Sequence, residues 1–266
     1  MKQLITRGHL SLFLILFLIF IGLEFEVEMW LSSSMADLPL QDTFLLLLAP
    51  ALYCGLIFAF ILYYGQQLEL KQSSMVLILF ISFVSVGFPI AYSNDFVDQL
   101  INQKFSGALA ENLIAIMGAL IEESIKLFFV YLIIQSFNRR DFGFILITGC
   151  LVGLGFQWTE DISYIFSSKE VGECFVNMLS RFSGAFSSHW VYTGITSFGF
   201  YLVMNHKKKA YLYLSAPVIL HALWNSTLNG GKFVSALLSV VTLVLFMECI
   251  QSGRKELTMQ EHSMTL

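Results

Sequence analysis

Eight apolar runs follow one another along the chain, each close to the roughly 20 residues that a helix needs to cross a bilayer. They cover about Leu10–Met29, Thr43–Tyr64, Met75–Tyr92, Asn112–Gln135, Phe142–Phe166, Met178–Met204, Ala210–Leu228 and Phe233–Ile250. The polar stretches between them are too short to make a soluble domain, so any activity must reside in the membrane part. Charged residues are 13% of the chain, about half the share of a soluble domain. The expected fold is all-α: a polytopic membrane helix bundle of about eight transmembrane helices, forming a single integral-membrane domain over residues 1–266. Lys2 and Arg7 before the first run resemble the charged region of a signal peptide. No small-x-small cleavage site follows closely, so the run is read as a span whose outer end carries Glu24, Glu26 and Glu28.

Loop charges give the orientation. With the N-terminus inside, inner segments hold Lys2, Arg7, Lys71, Arg139, Arg140, Lys207, Lys208, Lys209, Arg254 and Lys255, and outer segments hold Lys104, Lys169, Arg181 and Lys232. The bias places both termini in the cytoplasm. The net charge of -4, with no basic face or tail, excludes a nucleic-acid partner. Cys54, Cys150 and Cys249 fall in apolar runs and Cys174 in a loop, so no disulfide framework or Cys-x-x-Cys pair is expected. Gly149 and Gly153, with Gly155 after them, have the spacing that lets a neighbouring backbone approach a membrane helix closely.

The fourth run departs from the pattern. It contains Glu122, Glu123 and Lys126. A charge at the centre of a membrane helix costs roughly 2.5–3.5 kcal/mol on insertion scales, so three in one helix need partners, neutralisation or a function. On a helix Lys126 lies on the face between the two acids. A structural ion pair would account for the cluster, but intramembrane ionisable residues are functional candidates by default.

Three further groups lie on later runs. Gly155-Phe-Gln-Trp-Thr-Glu160-Asp161-Ile-Ser-Tyr164 puts Glu160 and Tyr164 on one face, toward the end of the fifth run, where acids are often merely wet. His189 stands in Ser187-Ser188-His189-Trp190-Val191-Tyr192-Thr193, and His221 and Asn225 are four residues apart on the seventh run. Each histidine alone could be an inter-helix hydrogen-bonding residue. Together with the Glu pair they suit hydrolysis by water: a Glu takes the proton, a His shares it, and Asn and His donate to the developing oxyanion. Glu plus two His is also a ligand type for catalytic zinc. No His-Glu-x-x-His spacing is present, so no cofactor is expected from the motifs; a zinc, if held, would sit on Glu122, His189 and His221. The Gly-x-Ser-x-Gly motif is missing too.

In order, Glu122-Glu123-x-x-Lys126, Gly155-Phe156 through Glu160-Asp161-x-x-Tyr164, His189 and His221-Ala222-Leu223-Trp224-Asn225 resemble the four motifs of the PrsW family of intramembrane proteases, grouped with type II CAAX prenyl endopeptidases and bacteriocin-processing proteins. The resemblance runs from about Gly118 to Ser226 and makes residues 112–228 the expected catalytic core. It implies a glutamic-type endopeptidase in which Glu122 activates water, Glu123 supports it, His189 assists, and His221 with Asn225 binds the oxyanion. Lys126, Glu160 and Tyr164 support the site. The implied substrate is a membrane-associated protein or peptide, the implied setting the bilayer of a cell membrane, bacterial and cytoplasmic. Family relatives point to cleavage of an anti-sigma factor or to peptide maturation. Two other readings compete: a non-catalytic scaffold or immunity protein of the same fold, and an ion-coupled transporter with Glu122, Glu123 and Lys126 as a proton relay. The chain lacks the paired, broken spans of a midplane transport site, which counts against the transporter.

Overall fold

Backbone N–H and C=O groups find no water in lipid, so an apolar run must close its hydrogen bonds within itself. The computed structural model of the protein, which describes residues 2–32 and 38–264 and the side chains of 8–31 and 38–254, meets that demand with helices alone. Among the described residues these are α1 (Lys2–Ser32), α2 (Leu40–Gln67), α3 (Gln72–Ser85), α4 (Gly87–Asn102), α5 (Gly107–Phe137), α6 (Phe142–Ile165), α7 (Val171–Gly184), α8 (His189–Met204), α9 (Ala210–Asn225) and α10 (Lys232–Met264). A 3₁₀ turn, Ala185–Ser187, joins α7 to α8.

Among the described residues, five stretches are long and apolar enough to cross a membrane: Gly8–Leu31, Leu40–Gln67, Gln72–Asn102, Phe142–Ile165 and Lys232–Arg254. Three of the eight expected runs fall outside this set for different reasons. The charges of Glu122, Glu123 and Lys126 interrupt α5, while α8 and α9 have 16 residues each, about 24 Å of helix. The side chains of Lys2, Arg7 and Lys255, used above for orientation, lie outside the described residues.

α6 is the centre of the bundle. Most of its side chains are buried, and it packs on α8, α3, α2, α5 and α7. Its glycines set how close the neighbours come. A Cβ on Gly153 would stand 2.3 Å from the carbonyl oxygen of His189, and one on Gly149 2.7 Å from that of Thr193. On another side, a Cβ on Gly155 would stand 2.6 Å from the backbone nitrogen of Phe83 in α3. The expected glycine contact is therefore real, and it seats the first turn of α8 directly on α6.

Two runs break where continuous spans were expected. The third divides at Val86 into α3 and α4. Pro89 lacks an N–H for the carbonyl of Ser85, which ends α3 there. The expected span Met178–Met204 is an amphipathic helix, a 3₁₀ turn and an extended Ser188 before α8 begins at His189. His189 is thus the first residue of a helix, rather than eleven residues inside one. In α7, Arg181 turns inward while Val176, Leu179 and Phe182 stay exposed, the pattern of a helix lying at a membrane surface. Cys174 lies in this helix and not in a loop; all four cysteines are buried and none forms a disulfide among the described residues.

Candidate functional site

On α5, 3.6 residues per turn bring Glu122, Glu123 and Lys126 to one face, and that face points into the bundle. Lys126 is fully buried and donates 3.1 Å to Glu122 Oε2 and 3.0 Å to Glu123 Oε1. Its Nζ also lies 2.9 Å from Nδ1 of His189, and 4.3 Å above the ring centre of Phe156. An ammonium has three donors and no acceptor, so Nδ1 of His189 is the acceptor in this contact. The other ring nitrogen, Nε2, then carries the proton and donates to Glu160 at 2.9 Å.

Glu160 therefore belongs to the cluster, although it was expected near the wet end of its run. Arg181 from α7 pairs with both Glu160 and Asp161, and Tyr53 from α2 donates to Asp161 at 2.8 Å. His221 enters from α9. Its Nδ1 is 3.4 Å from Glu123 Oε1 and its Nε2 3.8 Å from Glu122 Oε2, and its ring stacks on Tyr192. Nδ1 of His221 is buried without a hydrogen-bond partner.

The two carboxylates differ in surroundings. Glu123 is hemmed in, accepting from Thr193 at 3.3 Å and Thr196 at 3.5 Å as well as from Lys126. Glu122 accepts from Asn94 of α4 at 3.3 Å and lines a polar cavity of about 600 Å³. His189, His221, Glu160, Tyr192 and Arg181 line the same cavity, and so does the exposed Asn225. Asn225 stands apart from the buried cluster. Tyr164 is exposed too, with the Arg181 guanidinium 4.7 Å from its ring centre. The cavity opens at the end of the bundle where α6 and α9 finish and α8 and α10 begin. Asn112, near the start of α5, bonds Thr227 just beyond α9 at the same end.

Glu122, His189 and His221 each offer a ligand atom, all within 4.8 Å of one another. The donor types suit a catalytic zinc, and His189 has the outer carboxylate partner that metal-bound histidines keep. The cluster's four carboxylates, Glu122, Glu123, Glu160 and Asp161, outnumber its two cations, Lys126 and Arg181. A divalent ion would offset that surplus, as would protons on the acids or imidazoles. Lys126 Nζ stands among the same donor atoms, so an ion there would have to displace it.

Sequence reasoning reached Glu122, Glu123, Lys126, Glu160, His189 and His221, which meet, but missed Arg181, Asn94, Tyr53, Thr193 and Thr196. Arg181 carried the signal that flagged Lys126, an ionisable residue inside an apolar run, yet was counted as a loop charge. Thr193 and Thr196 follow His189 at i+4 and i+7, one helical face. Asn94 and Tyr53 sit in runs without a motif, and only packing brings them in.

A family model described as PrsW family intramembrane metalloprotease matches residues 71–250, more than half of the chain. No curated protein and no solved structure matches.

Proposed function

The chain belongs to the PrsW family of intramembrane metalloproteases, and from that premise we propose that it is a multi-pass membrane endopeptidase whose water-activating base is Glu122. The observation that carries this reading is the convergence of Glu122, His189 and His221 from three helices on one polar cavity inside an apolar bundle.

The chemistry follows from the contacts. Glu122 faces the cavity, and the Lys126 ammonium lies 3.1 Å from its Oε2. A substrate carbonyl beside Glu122 is attacked by a water whose proton passes to the carboxylate. His221 lines the cavity with its Nε2 3.8 Å from Glu122 Oε2, and it donates to the oxyanion as it forms. The C–N bond then breaks, and the proton on Glu122 goes to the leaving amine. Glu123, closed in by two threonines and Lys126, holds the ammonium in place. Both nitrogens of His189 are engaged, so it positions Lys126 and Glu160. Asn225, at the exposed wall of the cavity, contacts the substrate chain near its entry.

A second reading follows from the family's name and the donor set. A zinc on Glu122, His189 and His221 would supply Lewis acidity and a bound water of lowered pKa. Glu160 would then orient His189, and Asn94 the far oxygen of Glu122. The position of Lys126 among these atoms makes the carboxylate reading the first choice.

We assign the end where the cavity opens to the outer face, because Lys71, Arg139, Arg140 and Lys207–Lys209 lie at the opposite end. The substrate is a membrane-associated polypeptide, cut near its outer boundary, as in regulated release of a membrane-held factor or maturation of a peptide. The test is cleavage of single-span peptides by purified protein in liposomes, with Glu122→Gln as control. A protein that binds such peptides and never cuts them would be the scaffold of the same fold.

A further inference from the structure

A second cavity, of about 470 Å³, lies between α1, α4 and α6 and meets the polar one at Glu160 and Tyr164, which line both. Its wall is mainly apolar. Phe25 of α1 packs against Phe88 and Tyr92 of α4, with ring centres 6.4 and 5.8 Å apart. Besides Glu160, which pairs with Arg181, three acids, Glu26, Glu28 and Asp95, line it, and no lysine or arginine does so among the described residues. Asn94 lines it as well. One end of its amide donates to Glu122, while the other, Oδ1, is buried and has no partner.

We propose that this cavity is where the substrate's membrane segment docks, and that it selects an apolar segment flanked by lysine or arginine. The proposal rests on the endopeptidase reading above. Three observations identify the occupant. The apolar wall between membrane helices matches a hydrophobic polypeptide segment. Glu26, Glu28 and Asp95, unbalanced by any lining cation, attract a basic flank. Oδ1 of Asn94 accepts a backbone N–H of the bound chain while its other end holds Glu122. A chain docked on Asn94 therefore delivers a neighbouring carbonyl to the water beside Glu122. Lipid enters from the apolar side and water from the polar side, and the scissile bond lies where the two cavities join. Asn94 is thus a positioning and specificity residue that no motif contains.

The experiment uses the full chain in liposomes and synthetic peptides of one Leu/Ala span, flanked by Lys-Lys, Gln-Gln or Glu-Glu. Cleavage is followed with the active protein. Binding is followed independently by photocrosslinking from a benzophenone amino acid at Tyr92 in Glu122→Gln protein. The proposal expects crosslinks from Tyr92, and kcat/KM for the Lys-Lys peptide at least about tenfold above the Glu-Glu peptide, a difference of about 1.4 kcal/mol. Asp95→Lys and Glu26→Lys should reverse that order, while the Gln-Gln peptide changes little. Cleavage without crosslinks from Tyr92, or with no dependence on flank charge, overturns the docking site and leaves the protease. Flank-dependent crosslinks without cleavage uphold the docking site and overturn the protease. Absence of both overturns both.

Discussion

Lys126 donates to Nδ1 of His189 across the interface between α5 and α8, at 2.9 Å. That contact ties an ion pair that one helix could make alone to a histidine 63 residues away. It also fixes the neutral tautomer of His189 that donates to Glu160, and so connects Arg181 to the acids of α5.

Replacing Glu122 by Gln should abolish cleavage, with a loss of about 10²–10⁴-fold or more, while the protein stays inserted and folded. The shape is kept and only the base is lost. Glu123→Gln should cost less, because it acts by holding Lys126. Single-turnover cleavage rates with circular dichroism of both variants decide this; full activity in Glu122→Gln removes it from the base role.

His221→Ala and His189→Ala should differ in kind. His221→Ala removes an oxyanion donor and should lower kcat by about 10²–10³-fold with little change in melting temperature. His189→Ala leaves Lys126 and Glu160 each short of a buried partner and should lower thermal stability as well. Equal behaviour of the two in both measurements would refute the division of roles.

Lys126→Met strands two buried carboxylates and should destabilise the protein by about 3–5 kcal/mol. The double change Lys126→Met with Glu123→Gln should recover part of that loss, since one stranded charge disappears. Unfolding in mixed detergent micelles measures both; a neutral single variant would mean that Lys126 carries no structural load.

Cleavage should survive a strong chelator, and elemental analysis of active protein should find less than stoichiometric zinc. Stoichiometric zinc that leaves with activity and restores it on return would move Glu122, His189 and His221 to the role of ligands.

Gly153→Ala should separate α8 from α6. The added methyl would stand 2.3 Å from the His189 carbonyl, a backbone atom that cannot turn aside. Overpacking of this kind costs about 1–3 kcal/mol and would shift His189 from its partners. A crosslink between cysteines placed across α6 and α8 reports the spacing, and unchanged crosslinking with full activity would refute the seating role.

How much of this was legible beforehand depends on distance along the chain. The sequence by itself determined the helices, because lipid leaves an apolar run no other way to satisfy its backbone. It also determined that Glu122, Glu123 and Lys126 share a face, since that follows from 3.6 residues per turn. The glycines of α6 announced a close neighbour without naming it. Tertiary structure alone decided that the neighbour is the first turn of α8, that Glu160 turns in to His189, and that Arg181 closes over both Glu160 and Asp161. It alone brought Asn94 to Glu122 and Tyr53 to Asp161. The reason is physical. Lipid is as apolar as the helix surfaces, so the hydrophobic pattern that marks a membrane helix does not say which helix it meets. That choice is made by small residues and buried polar pairs between helices, and their partners lie tens of residues apart, beyond the reach of any local periodicity.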